Sequence, residues 1–211
     1  MKKILIFALL IITVLFSYLV SWSEWLLLTV LFLGLVFLII LGLIRIFRKS
    51  KKILFQSAIL LIGICLIGIF AGLFRPYEPA LLKSGTISEQ LEYAYKTDQS
   101  DRKQLRSFIP MFSKLQERDV LRLEKVKQIN AEGELTKSRD KFHSAFIYHH
   151  SDNSADYKMA SKLAAAAAKD EGLQNDYQVQ WLRKAAYDRW MVSQEKPEKY
   201  NTQNKFSIEI K

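Results

Sequence analysis

Residues 26–74 read LLLTVLFLGLVFLIILGLIRIFRKSKKILFQSAILLIGICLIGIFAGLF, and this stretch decides the architecture. Two runs without a charge, 26–44 and 53–74, flank RIFRKSKK, whose five basic residues occupy positions 45–52. Each run reaches the roughly 17 to 25 residues that cross a bilayer as helix. A third uncharged run, residues 4–20 (ILIFALLIITVLFSYLV), follows the N-terminal MKK. The sequence therefore predicts a membrane domain over 1–74 with three transmembrane helices, 4–20, 26–44 and 53–74. The first run also has the charged start and apolar middle of a signal peptide. No Ala-x-Ala cleavage pattern follows it, and SWSEW leads directly into the next run, so a membrane hairpin is the simpler reading. Trp22 and Trp25 suit an interfacial aromatic belt.

The charge is uneven. Of the net +10, residues 1–74 hold seven basic side chains (Lys2, Lys3, Arg45, Arg48, Lys49, Lys51, Lys52) and one acid, Glu24, which leaves 24 basic and 20 acidic beyond. The near-balanced remainder has no dense Lys/Arg stripe with interleaved aromatics, so nucleic-acid binding is not indicated. The positive-inside rule assigns the N-terminus and loop 45–52 to the cytoplasm, and residues 75–211 to the outer side of a bacterial cytoplasmic (inner) membrane. Arg75 and Lys83 oppose this asymmetry slightly. The lipid bilayer is thus the first expected partner.

Cys65, the only cysteine, lies in the third run. Residues 75–211 therefore contain no disulfide and no thiol ligand. They also lack a Gly-rich phosphate loop and a His-Glu-x-x-His pattern, so no cofactor and no metal are expected.

These 137 residues suffice for one compact domain. The pattern is helical almost throughout, predicting an all-α domain of short antiparallel helices outside the membrane. Thr86 with Glu89 forms a capping box that opens a short helix through Tyr95. A second helix is expected from Asp98 to about Phe108, before Pro110. A third covers about 111–131 and stops at Gly133. Thr136 or Ser138 opens the fourth, which ends in the turn-rich SDNS of 151–154. Ser154 caps the fifth, which runs through KLAAAAAKDEG to Gly172 with Tyr157, Ala160, Leu163, Ala164 and Ala167 on one face. Asp176 opens the sixth, through about Gln194. FSIEI, 206–210, is a candidate strand.

Polar residues inside an apolar helical stripe are the informative ones, because buried charge must be paired. In the third helix Phe112, Leu115, Asp119, Arg122, Val126 and Ile129 follow one seam. The second brings Asp98, Asp101, Arg102, Leu105 and Ile109 together. The sixth aligns Trp181, Ala185, Asp188 and Val192, with Arg189 at its edge. Each of the three helices thus directs an Asp and an Arg toward the expected core. The bland reading is an internal salt-bridge network that fixes registry; the sharper one is a shared polar pocket for a small ligand. The three histidines share the fourth helix. At about 100° per residue, His149 joins Phe142, Ala145 and Phe146, whereas His143 and His150 lie roughly 100° away. They do not converge on one ion. No Gly-x-Ser-x-Gly elbow supports a serine nucleophile.

Taken together, TDQSDR (97–102), QERDVLR (116–122), HHSDN followed by Tyr157, the pair Asp188-Arg189 and PEKYNTQ (197–203) resemble an uncharacterised bacterial helical domain family. That family shows Asp-Gln-x-Asp-Arg, then Arg-Asp, Gln-His and Asp-Arg, and closes with Gln-x-Tyr/Phe-Gly-Thr-Gln. The resemblance covers about residues 90–203. It implies a shared polar pocket built from Asp98, Gln99, Asp101, Arg102, Arg118, Asp119, Arg122, His150, Tyr157, Asp188, Arg189, Thr202 and Gln203. His149 stands where the family has Gln, Glu198 again where it has Gln, and Asn201 where it has Gly. Asn tolerates the left-handed backbone that Gly supplies.

Two functions follow as expectations. One is a membrane-anchored helical binding domain for a protein or envelope partner, of an envelope-accessory or immunity type. The alternative is a hydrolase-like enzyme that uses His150 with Asp and Arg groups of the pocket.

Overall fold

The computed structural model describes residues 2–47 and 52–203. Among these, every regular element is helical: eight α-helices and two 3₁₀ turns. The candidate strand at 206–210 and residues 48–51 of loop 45–52 lie outside the described residues. The chain forms two compact units, one comprising residues 1–77 with 100–113, the other 78–99 with 114–211.

The first unit is built on α1 (Lys2–Leu19), α2 (Ser23–Phe47) and α3 (Lys52–Leu73). Two of them are long and apolar enough to cross a membrane, over Ser23–Ile46 and Lys52–Leu73, whereas the apolar part of α1 spans only Lys3–Leu19. At about 1.5 Å per residue α1 falls short of a ~30 Å hydrocarbon core, and α2 and α3 do not. α3 is the central helix and packs along both α1 and α2. Close approach is set by glycine. A Cβ at Gly68 would stand 2.7 Å from both Leu27 and Thr13, and one at Gly72 would stand 2.8 Å from Glu24 and 2.9 Å from Ser17. Such small-residue contacts let helices associate where no water drives them together.

The same unit buries one ion pair. Glu24 is fully buried, with Oε1 3.2 Å from Nη2 of Arg75. Arg75 also donates to the carbonyls of Tyr18 (2.9 Å), Val20 (2.7 Å) and Ser17, so its guanidinium caps the C-terminal end of α1. The two opposite charges of this pair therefore neutralise each other within the apolar unit. Residues 100–113 complete the unit, with a 3₁₀ turn at Leu105–Phe108.

The second unit holds most of α4 (Ile87–Arg102), then α5 (Leu115–Glu132), α6 (Ser138–His149), α7 (Ser154–Ala167) and α8 (Tyr177–Val192), with a 3₁₀ turn at Glu171–Leu173. The Thr86/Glu89 capping box forms as expected: Thr86 N–H donates to Glu89 (2.7 Å) and Glu89 N–H to Thr86 Oγ1 (3.3 Å). The first expected helix runs on into the start of the second as α4, which stops at Arg102, and the rest of the second is the separate 3₁₀ turn Leu105–Phe108. Thr97 turns its hydroxyl back to the Tyr93 carbonyl (3.0 Å), a bond compatible with continued helix, and nothing between Tyr95 and Asp98 breaks the ladder. Asp176 caps α8 by accepting from Gln178 and Val179 N–H. Asn153, rather than Ser154, caps α7, and α7 ends well before Gly172.

α6 is the core helix. Every residue from Phe142 to His149 is buried, because α5, α7 and α8 all pack against it. Phase around this helix therefore does not separate inside from outside, and His143, expected away from His149, is buried as well. Ala160, Ala164 and Ala167 of α7 are also fully buried, which brings α7 close to its neighbours. Leu91, Phe142, Val126, Val179 and Leu182 fill the rest of one continuous core, each worth about 1.5 to 3 kcal/mol of burial.

Candidate functional site

Five of the residues that the sequence singles out meet in the second unit: Asp98, Gln99, Asp119, Arg122 and His150. Arg122, on α5, is fully buried and its Nη1 lies 3.0 Å from Asp119 and 3.9 Å from Asp98 of α4. Its Nε donates to Thr97 Oγ1 at 3.3 Å. Asp98, 1% exposed, is approached on its other side by Nδ1 of His150, 3.2 Å away. Gln99 adds a 2.9 Å hydrogen bond from its side-chain amide to the same carboxylate. The imidazole of His150 keeps 18% of its surface exposed. The arrangement is a two-carboxylate clamp around one arginine, with a histidine at its outer edge.

The arrangement follows from local sequence. Asp119 and Arg122 are three residues apart on α5, the spacing at which helical side chains face each other. His150 is the residue that caps the C-terminal end of α6, so its ring emerges where that core helix stops being enclosed. Thr97 and Asp98 are adjacent on α4 and present a hydroxyl and a carboxylate to the same guanidinium.

The other candidates stand elsewhere. Arg118 is buried on α5 and donates to the backbone carbonyl of Glu78 at 2.7 Å. Asp101 and Arg102 end α4 within the first unit, where Asp101 is buried and its carbonyl accepts from Ser107 Oγ at 2.6 Å. His149 is buried with its ring edge-on to Trp181. Arg189 lies over the Tyr157 ring, 4.9 Å from the centroid.

Asp188 serves a separate purpose. Fully buried on α8, it accepts backbone N–H bonds from Lys199 (2.9 Å), Tyr200 (3.1 Å) and Thr202 (3.0 Å), and the Thr202 hydroxyl at 2.8 Å. Burial pushes the Asp188 carboxyl up, yet these donors outweigh it and hold it below the ordinary aspartate value. Asn201 adopts φ 53°, the left-handed conformation expected of the residue at this turn. Gln203 closes the loop: its N–H donates to Glu198 (2.7 Å) and its amide to the Ala185 carbonyl (3.2 Å). Residues 198–203 thus form a clasp that ties the chain back onto α8.

His143 is a packing residue. Its ring stacks on Tyr95 at 4.9 Å, and burial pushes its pKa down to about 4, so it is neutral at pH 7.

Two features have no counterpart in the sequence reading. Asp156 is buried at the start of α7 and accepts from Lys127 (2.7 Å), Ser151 (2.6 Å) and Asn153 (2.6 Å). Burial raises its pKa, and these donors lower it by more. Asn153-x-x-Asp156 is the visible signal, since it has the spacing of a capping box. The second is an open groove of about 590 Å³ between α7 and α8, floored by Ala155 and Ala165 and walled by Met159, Tyr187 and Trp190. Lys158 and Lys162 border it, and neither makes an ion pair among the described residues. Elsewhere in this unit Lys96, Lys127, Arg122 and Arg139 each face a carboxylate. The Trp190 indole N–H is buried with no acceptor among the described residues.

Comparison of the chain with protein-family models, with curated proteins and with solved structures found no match.

Proposed function

We propose that the chain is a membrane-anchored helical binding domain. In this reading α1, α2 and α3 all insert in a bacterial cytoplasmic membrane, α1 as the shorter member supported by its packing along α3. The N-terminus and loop 45–52 face the cytoplasm and the second unit is displayed outside. The pocket of the resembled family then corresponds to the Asp98, Asp119, Arg122 and His150 cluster, with the 198–203 clasp as its neighbour on α8.

The observation that carries the binding role is the groove between α7 and α8. Lys158 and Lys162, one turn apart, border an apolar surface, and neither makes an ion pair among the described residues. Like charges at this spacing cost a helix a few tenths of a kcal/mol, a cost that a partner carboxylate removes. The groove therefore favours an acidic protein or envelope component with an apolar face. A photo-crosslinking residue in place of Ala165 tests this in cells. A discrete adduct that disappears in Lys158→Glu/Lys162→Glu supports it, and absence of any adduct removes the groove as the binding surface.

One observation favours the second reading, a hydrolase-like enzyme. A buried carboxylate on Nδ1 holds the His150 ring in orientation while part of it remains open to solvent, the relation of the His and Asp in a catalytic triad. Loss of ester or amide turnover in His150→Gln would support that reading, and unchanged turnover would remove it.

A further inference from the structure

We propose that residues 105–112 form a membrane-interface wedge: the 3₁₀ turn at Leu105–Phe108 and the Pro110-Met111 tip after it insert Phe108 and Met111 into the headgroup region beside the spanning helices. The inference rests on the reading of α2 and α3 as spans, and extends it to a segment that carries no span signature of its own.

The observations all lie within the first unit. Phe108 is 66% exposed and Met111 87%, an unusual pair of large apolar side chains to leave bare on adjoining turns. Phe108 packs edge-on against Trp25 at 5.8 Å, and the Trp25 indole N–H donates to the Lys103 carbonyl at 2.6 Å. Trp25 occupies the first turn of α2, the position where an indole sits at the lipid headgroups with its polar edge toward water. Phe112 packs edge-on against Phe74, one residue beyond the end of α3, at 5.5 Å, and its carbonyl accepts from Tyr77. The segment is thus pinned at both ends to the same membrane boundary, the start of α2 and the end of α3.

Its polar atoms are arranged to match. Arg106 is buried, sits 3.4 Å above the Tyr77 ring centroid, and donates to the Gln104 side chain and to the Arg75 carbonyl. The one cation of the turn is therefore folded inward, while the apolar side chains point out. An inward guanidinium and outward Phe and Met suit a lipid surface better than water. Lys103, exposed, precedes the segment at the level where anionic headgroups would lie.

The test uses the full chain in liposomes, in a Cys65→Ser background, with a fluorophore on a single introduced cysteine and lipids that carry a nitroxide at the headgroup or deep in the acyl chain. Met111→Cys is the probe, Ile67→Cys in α3 reports the span, and Gln174→Cys in the second unit is the aqueous control. The expected result is headgroup-nitroxide quenching at 111 at least threefold above that at 174, with deep-nitroxide quenching strongest at 67. If 67 is quenched and 111 matches 174, the wedge is overturned and the anchor stands. If neither is quenched, the anchor reading and the wedge fall together.

Discussion

Nδ1 of His150 lies 3.2 Å from the carboxylate of Asp98, joining the end of α6 to α4 across 52 residues of sequence. Behind that carboxylate stands Arg122, fully buried. Asp98 is therefore the hinge of the polar cluster, facing a guanidinium inward and an imidazole outward.

Asp98→Ala removes one of the two carboxylates beside the Arg122 guanidinium and the His150 tether. Breaking a buried pair from one side costs about 3 to 5 kcal/mol. We expect a loss of this size in denaturant unfolding of the full chain in detergent. The double substitution Asp98→Ala/Arg122→Met should recover part of it, since the stranded charge is then gone. Equal destabilisation by the single and double variants would show that the pair contributes nothing as a pair.

His143 gives a pH signature. It titrates near 6.5 when unfolded, and at about 4 when buried against Tyr95. The unfolded chain therefore takes up a proton first as pH falls. The stabilisation is present above pH 6.5 and is lost progressively between 6.5 and about 4, about 3 kcal/mol in all. The aspartates held low, Asp156, Asp176 and Asp188, act below that window, whereas Glu89 and Glu92, exposed and also held low, overlap only its acid end. His143→Phe should flatten unfolding free energy between pH 6.5 and 4.5 while wild type falls.

The clasp on Asp188 predicts a proteolytic phenotype. Asp188→Ala removes the acceptor of three backbone N–H groups and one hydroxyl, and we expect about 2 to 3 kcal/mol of local stability to go with it. Trypsin cleavage after Lys199 should accelerate at least tenfold, with α8 otherwise intact. Thr202→Val, which removes one donor, should give a smaller acceleration.

The glycine contacts of α3 predict a membrane-unit phenotype. Gly72→Val puts side-chain atoms where Glu24 and Ser17 now lie. Overpacking of this kind costs about 1 to 3 kcal/mol. The detergent melting temperature should fall more for Gly72→Val than for Gly63→Val, because Gly63 has open space around it.

How much of this was legible in the sequence depends on the kind of interaction. Local signals read correctly: the Thr86/Glu89 box, the Asp176 cap and the left-handed backbone at Asn201 each depend on residues within a few positions. Helical phase worked where one side of a helix meets solvent. In α5 it found Arg122, Val126 and Ile129, although Arg118 is buried and Asp119 only partly so. In α8 it assigned Val192 inward, and Val192 is exposed because the helix ends there. It failed on α6, whose neighbours surround it. The separation of Asp188 from the Asp98 cluster was invisible for another reason. Both are buried aspartates on helices, and only the return of residues 198–203 distinguishes a backbone anchor from an ion-pair partner.

The central claim is that residues 52–73 deliver the second unit to the outer face of a bacterial cytoplasmic membrane. Labelling of Gln174→Cys, in a Cys65→Ser background, by a membrane-impermeant maleimide in intact spheroplasts tests it directly. The account predicts full labelling without permeabilisation. Labelling that appears only after the membrane is opened would contradict it.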